Sequence, residues 1–349
     1  MKTYAGIDLH SSNNFIVVID NDDKRLFEKR IPNNIENVLK ALEPFKNSLD
    51  GVVVESTYNW YWLVDGLQKH SYPVVLANPA AIQQYNGLKH SDDKWDSFWL
   101  AHLLRLNILP KGYIYPKETR AIRDLLRRRM MYVQEKTKHF LSLQSLITRN
   151  LGNKITGNKI KKLKASDIEE MFESDYLAFT AKKNIETIDF LKNSIKEIEK
   201  KILTAAALKT EFELLKTIPG VGDILALTIM LEVGDIFRFE QVGNYSSYCR
   251  CVKSERHSNG KKKGENNKKN GNKYLSWAYI EAANFTIRYC PEAQRFYQRK
   301  MAKTNRVVAL KALSNKLARA SYYIMRDQVP YDANKLFNTQ DEDGFRTPR

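Results

Sequence analysis

The chain has 349 residues, 43% hydrophobic and 11% aromatic, which excludes a disordered polyelectrolyte and exceeds what one core normally organises. Fifty-seven Lys and Arg against 40 Asp and Glu leave a formal charge of +17, pointing to a polyanionic partner, nucleic acid first. No apolar run approaches the roughly 18 residues of a membrane span, and no signal-peptide pattern opens the chain, so a cytoplasmic, nucleoid-associated protein is expected. From the N-terminus, Thr3–Asp8 predicts a strand, Phe15–Asp20 its hairpin partner, and Arg25–Ile31 a third strand after the turn Asn21-Asp22-Asp23. A helix fits Ile35–Phe45. The Val-rich run Gly51–Glu55 reads as a strand buried on both faces, followed by a helix over Tyr58–Lys69 and a strand over Tyr72–Ala77.

Three antiparallel strands followed by strand–helix–strand units is the order of an RNase H-like, RuvC-like α/β domain, assigned to residues 1–115. From Thr119 the pattern changes. Ile122, Leu126, Met130, Val133, Thr137, Phe140, Leu143 and Ile147 recur at helical steps, and Ile185, Ile188, Leu191, Ile195, Ile198 and Ile202 form a second stripe. The two predict an antiparallel coiled-coil or dimerisation segment over 116–208, its first helix loaded with Arg120, Arg123, Arg127, Arg128 and Arg129. A mainly helical domain over 209–335 follows. It opens on Ile218-Pro219-Gly220-Val221-Gly222, a helix–hairpin–helix signal whose glycines Gly220 and Gly222 would present backbone N–H groups to a phosphate. Helices are predicted over Tyr274–Tyr289 and Val307–Met325, and a polar tail over 336–349. Cys249, Cys251 and Cys290 have neither disulfide parity nor metal-ligand spacing and read as incidental thiols.

Four acids carry the candidate chemistry. Asp8 ends one predicted strand and Glu55 another, while Asp93 and Asp96, three apart, share a helix face. Brought together, such carboxylates repel unless a cation holds them, and magnesium takes an oxygen set of this kind. Asp92 competes with Asp93 for the third place, and the three-residue step to Asp96 favours Asp93. The cofactor expected is Mg2+, with Mn2+ as a substitute.

The stretch Lys253–Lys273 is the most unusual of the chain, with Arg256, Lys261, Lys262, Lys263, Lys268, Lys269 and Lys273 placed to lie along a phosphate backbone as a flexible loop. Ser258 within it is either a hydrogen-bond donor to phosphate or a nucleophile favoured by the surrounding cations.

Taken in order, Gly6-Ile7-Asp8-Leu9-His10, Val54-Glu55, Asp93-x-x-Asp96, Ile218-Pro219-Gly220-Val221-Gly222, Ser258-x-Gly260 and Gly271-Asn272 resemble the DEDD transposases of the insertion-sequence 110 family, with its 1111 subgroup. The resemblance spans nearly the whole chain. It implies a magnesium site on Asp8, Glu55, Asp93 and Asp96, with Ser258 attacking DNA to form a covalent phosphoserine before strand exchange. It also implies a homo-dimer or tetramer in which the acids and the serine of one site come from different subunits, acting on double-stranded DNA under a structured bridge RNA. The chain departs from the family pattern at Trp95, Ser97 and Asn259, and in Arg250-Cys251-Val252-Lys253. The last departure makes Ser254 a competitor of Ser258, which its Gly neighbour and its spacing to Gly271-Asn272 favour. The rival readings are a hydrolytic RuvC-like nuclease or junction resolvase and a non-catalytic nucleic-acid-binding protein.

Overall fold

The computed structural model describes residues 1–82, 92–153, 155–206, 209–264 and 270–337. It divides into two compact units, Met1–Lys117 and Glu118–Arg349.

The first unit is a mixed sheet between helices. Strands β1 (Thr3–Leu9), β2 (Asn13–Ile19) and β3 (Arg25–Pro32) form an antiparallel meander. Helix α1 (Ile35–Leu42) leads to β4 (Leu49–Glu55), which pairs parallel to β1. Helix α2 (Tyr61–Lys69) leads to β5 (Val74–Ala77), parallel to β4. Helix α3 (Asp93–Arg105) and the short β6 (Lys111–Gly112) complete the order β3-β2-β1-β4-β5-β6. Prolines trim the predicted elements. Pro44 turns the end of the first helix into a 3-10 turn, and β5 starts just after Pro73, since proline cannot donate to a ladder.

Alternation along the strands decides which side chains meet which layer. Ala5, Ile7, Leu9, Val52 and Val54 pack on one face with Val38 and Leu42 of α1 and Leu63, Val64 and Leu67 of α2. Tyr4 and Val17 pack on the other face with Ala101, and Val53 with Leu100 and Leu103, all from α3. Gly6 lies on that second face. A Cβ there would come within 2.0 Å of the Ser97 carbonyl oxygen and 2.9 Å of the Ala101 nitrogen, so only glycine lets α3 lie this close to β1.

The second unit is mostly helical. The 35-residue α4 (Lys117–Leu151) and the 32-residue α7 (Asp175–Ala206) run antiparallel, as the pairs His139–Asn184 and Arg129–Glu199 fix, with α5 (Gly157–Ile160) and α6 (Ala165–Glu169) between them. Leu143, Leu146 and Ile147 of α4 close that end on Ile160, Ile168, Phe172, Ala181 and Ile185. Next come α8 (Thr210–Lys216), α9 (Asp223–Val233), α10 (Val242–Tyr248), a hairpin of β7 (Arg256–Ser258) and β8 (Lys261–Gly264), and α11 (Lys273–Tyr289). The described residues end with α12 (Pro291–Lys303), α13 (Arg306–Asp327) and α14 (Ala333–Phe337). Largely apolar around its circumference, α9 is buried from Leu225 to Val233 and lies in the main core, packed with α8 and α11.

One expectation changes here. The basic stretch is not simply a loop: Asn259 and Gly260, with φ of +50° and +68°, make the tight turn of the β7–β8 hairpin. The arginines of α4 differ in their surroundings: Arg120 and Arg123 are buried, Arg127 pairs with Glu232 and Arg129 with Glu199. The three thiols are free and buried.

Candidate active site

The four predicted acids come together at the carboxyl ends of β1 and β4, beside the start of α3. Ile7 pairs with Val54, so the next residues, Asp8 and Glu55, stand side by side where the two parallel strands end. Both lie on the face that Gly6 and Val53 present to α3, and their carboxyl groups share a hydrogen bond. Asp92 is the N-cap of α3, its side chain accepting from the Trp95 N–H at 2.8 Å. That cap sets Asp93 and Asp96 in the first helical turn, where the helix dipole favours negative charge.

Asp93 meets the site through His10. The His10 Nε2 atom lies 3.2 Å from Asp8 and 3.1 Å from Asp93, and ligating atoms of Asp8, His10 and Asp93 all fall within 4.8 Å of one another. These contacts are close but not aligned as hydrogen bonds. Arg30 of β3 holds the other Asp93 oxygen at 2.6 Å. It can do so because Asp8, Phe15 and Arg30 occupy one row across three strands. The His10 carbonyl accepts from Asn33 and Asn59, each at 2.9 Å, which fixes the turn after β1. Ser97, fully buried, accepts from the Asp8 N–H at 3.3 Å and has the Phe15 and Asp93 carbonyls at 2.9 and 2.7 Å. This serine, a departure at the level of sequence, ties α3 to both β1 and β2. Neither His10 nor Arg30 was assigned a role from sequence. His10 had a signal, two residues beyond Asp8 on the same face, whereas Arg30 enters only once the strand order is known.

The electrostatics are those of crowded acids. Burial, then the shared hydrogen bond and charge of Asp8, push the Glu55 carboxyl up to about 7. Burial raises Asp8, with Glu55 and His10 pulling the other way. Burial, then Asp8 and Asp93, raise Asp96. The Asp96 Oδ1 atom is buried with no hydrogen-bond partner. A lone acceptor oxygen, two adjoining carboxyls and an imidazole nitrogen facing two acid oxygens fit a divalent cation by the chemistry of the donor set.

Ser258 belongs to the second unit. It is exposed on β7, paired with Lys261 across the hairpin. Arg256, Lys261, Lys262 and Lys263 surround it, exposed, with Lys262 3.1 Å from Glu255. Ser254 precedes the hairpin and is half-buried. Lys268 and Lys269 lie outside the described residues. Lys273 is the first residue of α11, whose N-cap Asn272 accepts from the N–H groups of Tyr274 and Leu275. Gly271, at φ +85°, passes so close to the Tyr248 carbonyl that a Cβ would meet it at 2.5 Å.

The turn between α8 and α9 gives its two glycines different surroundings. Gly220, at φ +88°, abuts α11, where a Cβ would lie 2.7 Å from the Cβ of Phe285, and the Pro219 carbonyl accepts from Thr286 at 2.8 Å. Gly222 has open space around it and is the N-cap position of α9.

An α/β unit with a carboxylate cluster at its strand ends, followed in the chain by a helical unit with an exposed serine among cations, is the architecture of a nucleic-acid-processing enzyme. Two family models identify which. A DEDD transposase model of the IS110 type matches residues 5–150, and the "Transposase IS116/IS110/IS902 family" model matches residues 212–298. The first span contains all four acids and the second contains Ser258. The relative named "Putative transposase y4qE" from Sinorhizobium fredii (strain NBRC 101917 / NGR234) is 24% identical over 330 residues, covering 91% of this chain and 81% of the relative. The chain belongs to the IS110 family of DEDD transposases, enzymes that act on DNA.

Proposed function

We propose that the chain is a magnesium-dependent, RNA-guided DNA recombinase of an insertion sequence, using Ser258 as nucleophile. The observation that carries the reading is the convergence of Asp8, Glu55, Asp93 and Asp96, with a buried Asp96 oxygen left without a partner. The strand order and the position of the acids support an RNase H-like, RuvC-like assignment for the first unit. Asp8, Glu55, Asp93 and Asp96 would hold the metal, with His10 as a further ligand or a proton carrier. When bound, magnesium neutralises the scissile phosphate and stabilises the departing oxygen.

The chain's own residues do the remaining work. The Ser258 Oγ attacks phosphorus, forming the Oγ–P bond as the P–O bond to deoxyribose breaks. The serine proton passes to solvent or a neighbouring base, and the leaving hydroxyl takes up a proton. The phosphoserine conserves the phosphodiester bond for rejoining in the reverse sense. Its neighbours Arg256, Lys261 and Lys263 supply positive charge to the phosphate. The α8–α9 turn is proposed as a helix–hairpin–helix, α4 and α7 as a coiled-coil dimerisation arm, and base pairing to a guide RNA as the source of sequence choice.

The experiment is substitution at both halves of the site. Asp8→Ala and Glu55→Ala should abolish DNA strand cleavage while DNA binding persists, and Ser258→Ala should do the same. Full-rate cutting by Ser258→Ala with loss in Asp8→Ala would replace the recombinase by a hydrolytic nuclease. Full-rate cutting by all three variants would remove these residues from the chemistry, and a wild type that binds DNA without cutting it would leave a binding protein.

A further inference from the structure

Between α4 and the first turns of α11, within the second unit, lies a groove of about 490 Å³, lined by Arg127, Arg128, Met131, Lys273, Tyr274 and Trp277. We propose that this groove binds an unpaired nucleotide, its base stacked on Trp277 and its phosphate held by Arg128 and Lys273. This rests on nucleic acid being the partner of the chain, and it concerns residues outside the acid cluster and outside the β7–β8 hairpin that carries Ser258.

The floor of the groove is built around a buried charge. Glu232 sits in the largely apolar α9 and is 1% exposed. A carboxylate there is costly unless fully paired. It is: Arg127 grips both oxygens at 2.6 and 2.7 Å, and Asn272 donates to one at 2.7 Å. Arg127 in turn lies over the Tyr274 ring, 4.4 Å from its centre. Three helices are thereby locked together, and the aromatic wall is held in place before any ligand arrives. Because Arg127 is committed to Glu232, it is not the phosphate ligand.

The cations free for that role are on the rim. Arg128 is exposed, with a guanidinium nitrogen 3.9 Å from the Met131 sulfur; Lys273 is exposed with its ammonium 5.2 Å from the Tyr274 ring centre. Cations beside a half-buried indole, in a groove within the roughly 300–1,000 Å³ range of sites for small organic groups, are the elements of single-strand recognition. A duplex offers no free base face, so the groove selects unpaired nucleotides. Asp124 and Gln134, also on the lining, offer acceptors to the base edge.

The test uses the full chain in EDTA, with fluorescein-labelled dT20, rU20 and a 20-base-pair duplex in anisotropy titrations at several salt concentrations. Trp277→Ala should weaken single-strand binding roughly 10-fold at unchanged salt slope, while Trp277→Phe retains most of it and duplex binding stays unchanged. The double variant Arg128→Ala/Lys273→Ala should flatten the single-strand salt slope by about 1.4. The oligonucleotide bound more tightly by the wild type identifies the source, guide RNA or displaced DNA strand. Thermal melting checks that the variants are folded, and Trp277→Phe and the rim double variant serve if Trp277→Ala is not. Wild-type single-strand affinity and salt slope in folded variants would overturn the proposal. A covalent adduct on Ser258 would then still uphold the recombinase reading. Loss of the adduct with the groove effects intact would remove that reading and keep the groove.

Discussion

Gly6 and Asp8 occupy one face of one strand, and the first makes room for what the second does. With a hydrogen at Gly6, α3 approaches β1 until the Ser97 carbonyl lies where a Cβ would be, which brings Asp93 and Asp96 to Asp8. Gly6→Ala should therefore destabilise the first unit by about 3 kcal/mol and weaken metal binding with it, read by thermal melting with and without magnesium. Glu55 gives a pH signature. Its carboxyl titrates near 7 in the folded chain and near 4.5 unfolded, so the folded state binds more protons between those values. Its contribution to stability is complete below about 4.5 and is lost as pH rises through about 7. Metal-free protein should thus melt at a lower temperature at pH 7.5 than at pH 5.5, magnesium should recover stability at pH 7.5, and Glu55→Gln should flatten the profile. A metal-free melting temperature that rises over this range and is unaffected by Glu55→Gln would contradict the crowded-acid account.

At the scale of elements, α4, α9 and α11 meet at one buried ion pair. Glu232→Ala leaves Arg127 and Asn272 without their acceptor and should cost about 3–5 kcal/mol, whereas Glu232→Leu combined with Arg127→Met should cost far less. Chemical denaturation of the three proteins checks the difference. This pair was not legible in the sequence, because Glu232 and Arg127 are 105 residues apart and a glutamate in an apolar run gives no hint of its partner. The sheet was more legible. Val52-Val53-Val54 read as an inner strand buried on both faces, which β4 is, whereas the face on which Asp8 lies followed only from the strand pairing. The N-terminal α/β sheet and the mainly helical remainder read correctly from periodicity. Other elements were hidden by competing signals: the lysines of 261–263 masked a hairpin that Asn259-Gly260 announces, and α12 lacks a clean apolar stripe because only Ala293 of it is fully buried. Arg30 reached the site through strand pairing, which no local pattern encodes.

For the whole molecule, the net charge of +17 and the two matched spans describe a protein that handles DNA with separate parts. The acids stand on a rigid sheet, while the serine stands on a small exposed hairpin. If the acids serve the serine, a defect in either should give the same chemical phenotype and leave nucleic-acid binding intact. Asp8→Ala should even melt no lower than wild type in the absence of metal, because it removes a repelling carboxylate from the cluster. The central claim is tested most directly by mass spectrometry of the protein after incubation with magnesium, DNA carrying the ends of the element and whatever RNA co-purifies. Wild type should yield a nucleotide adduct on the peptide containing Ser258, absent from Asp8→Ala and Ser258→Ala. Cleaved DNA with no protein adduct, or an adduct that persists in Ser258→Ala, would contradict it.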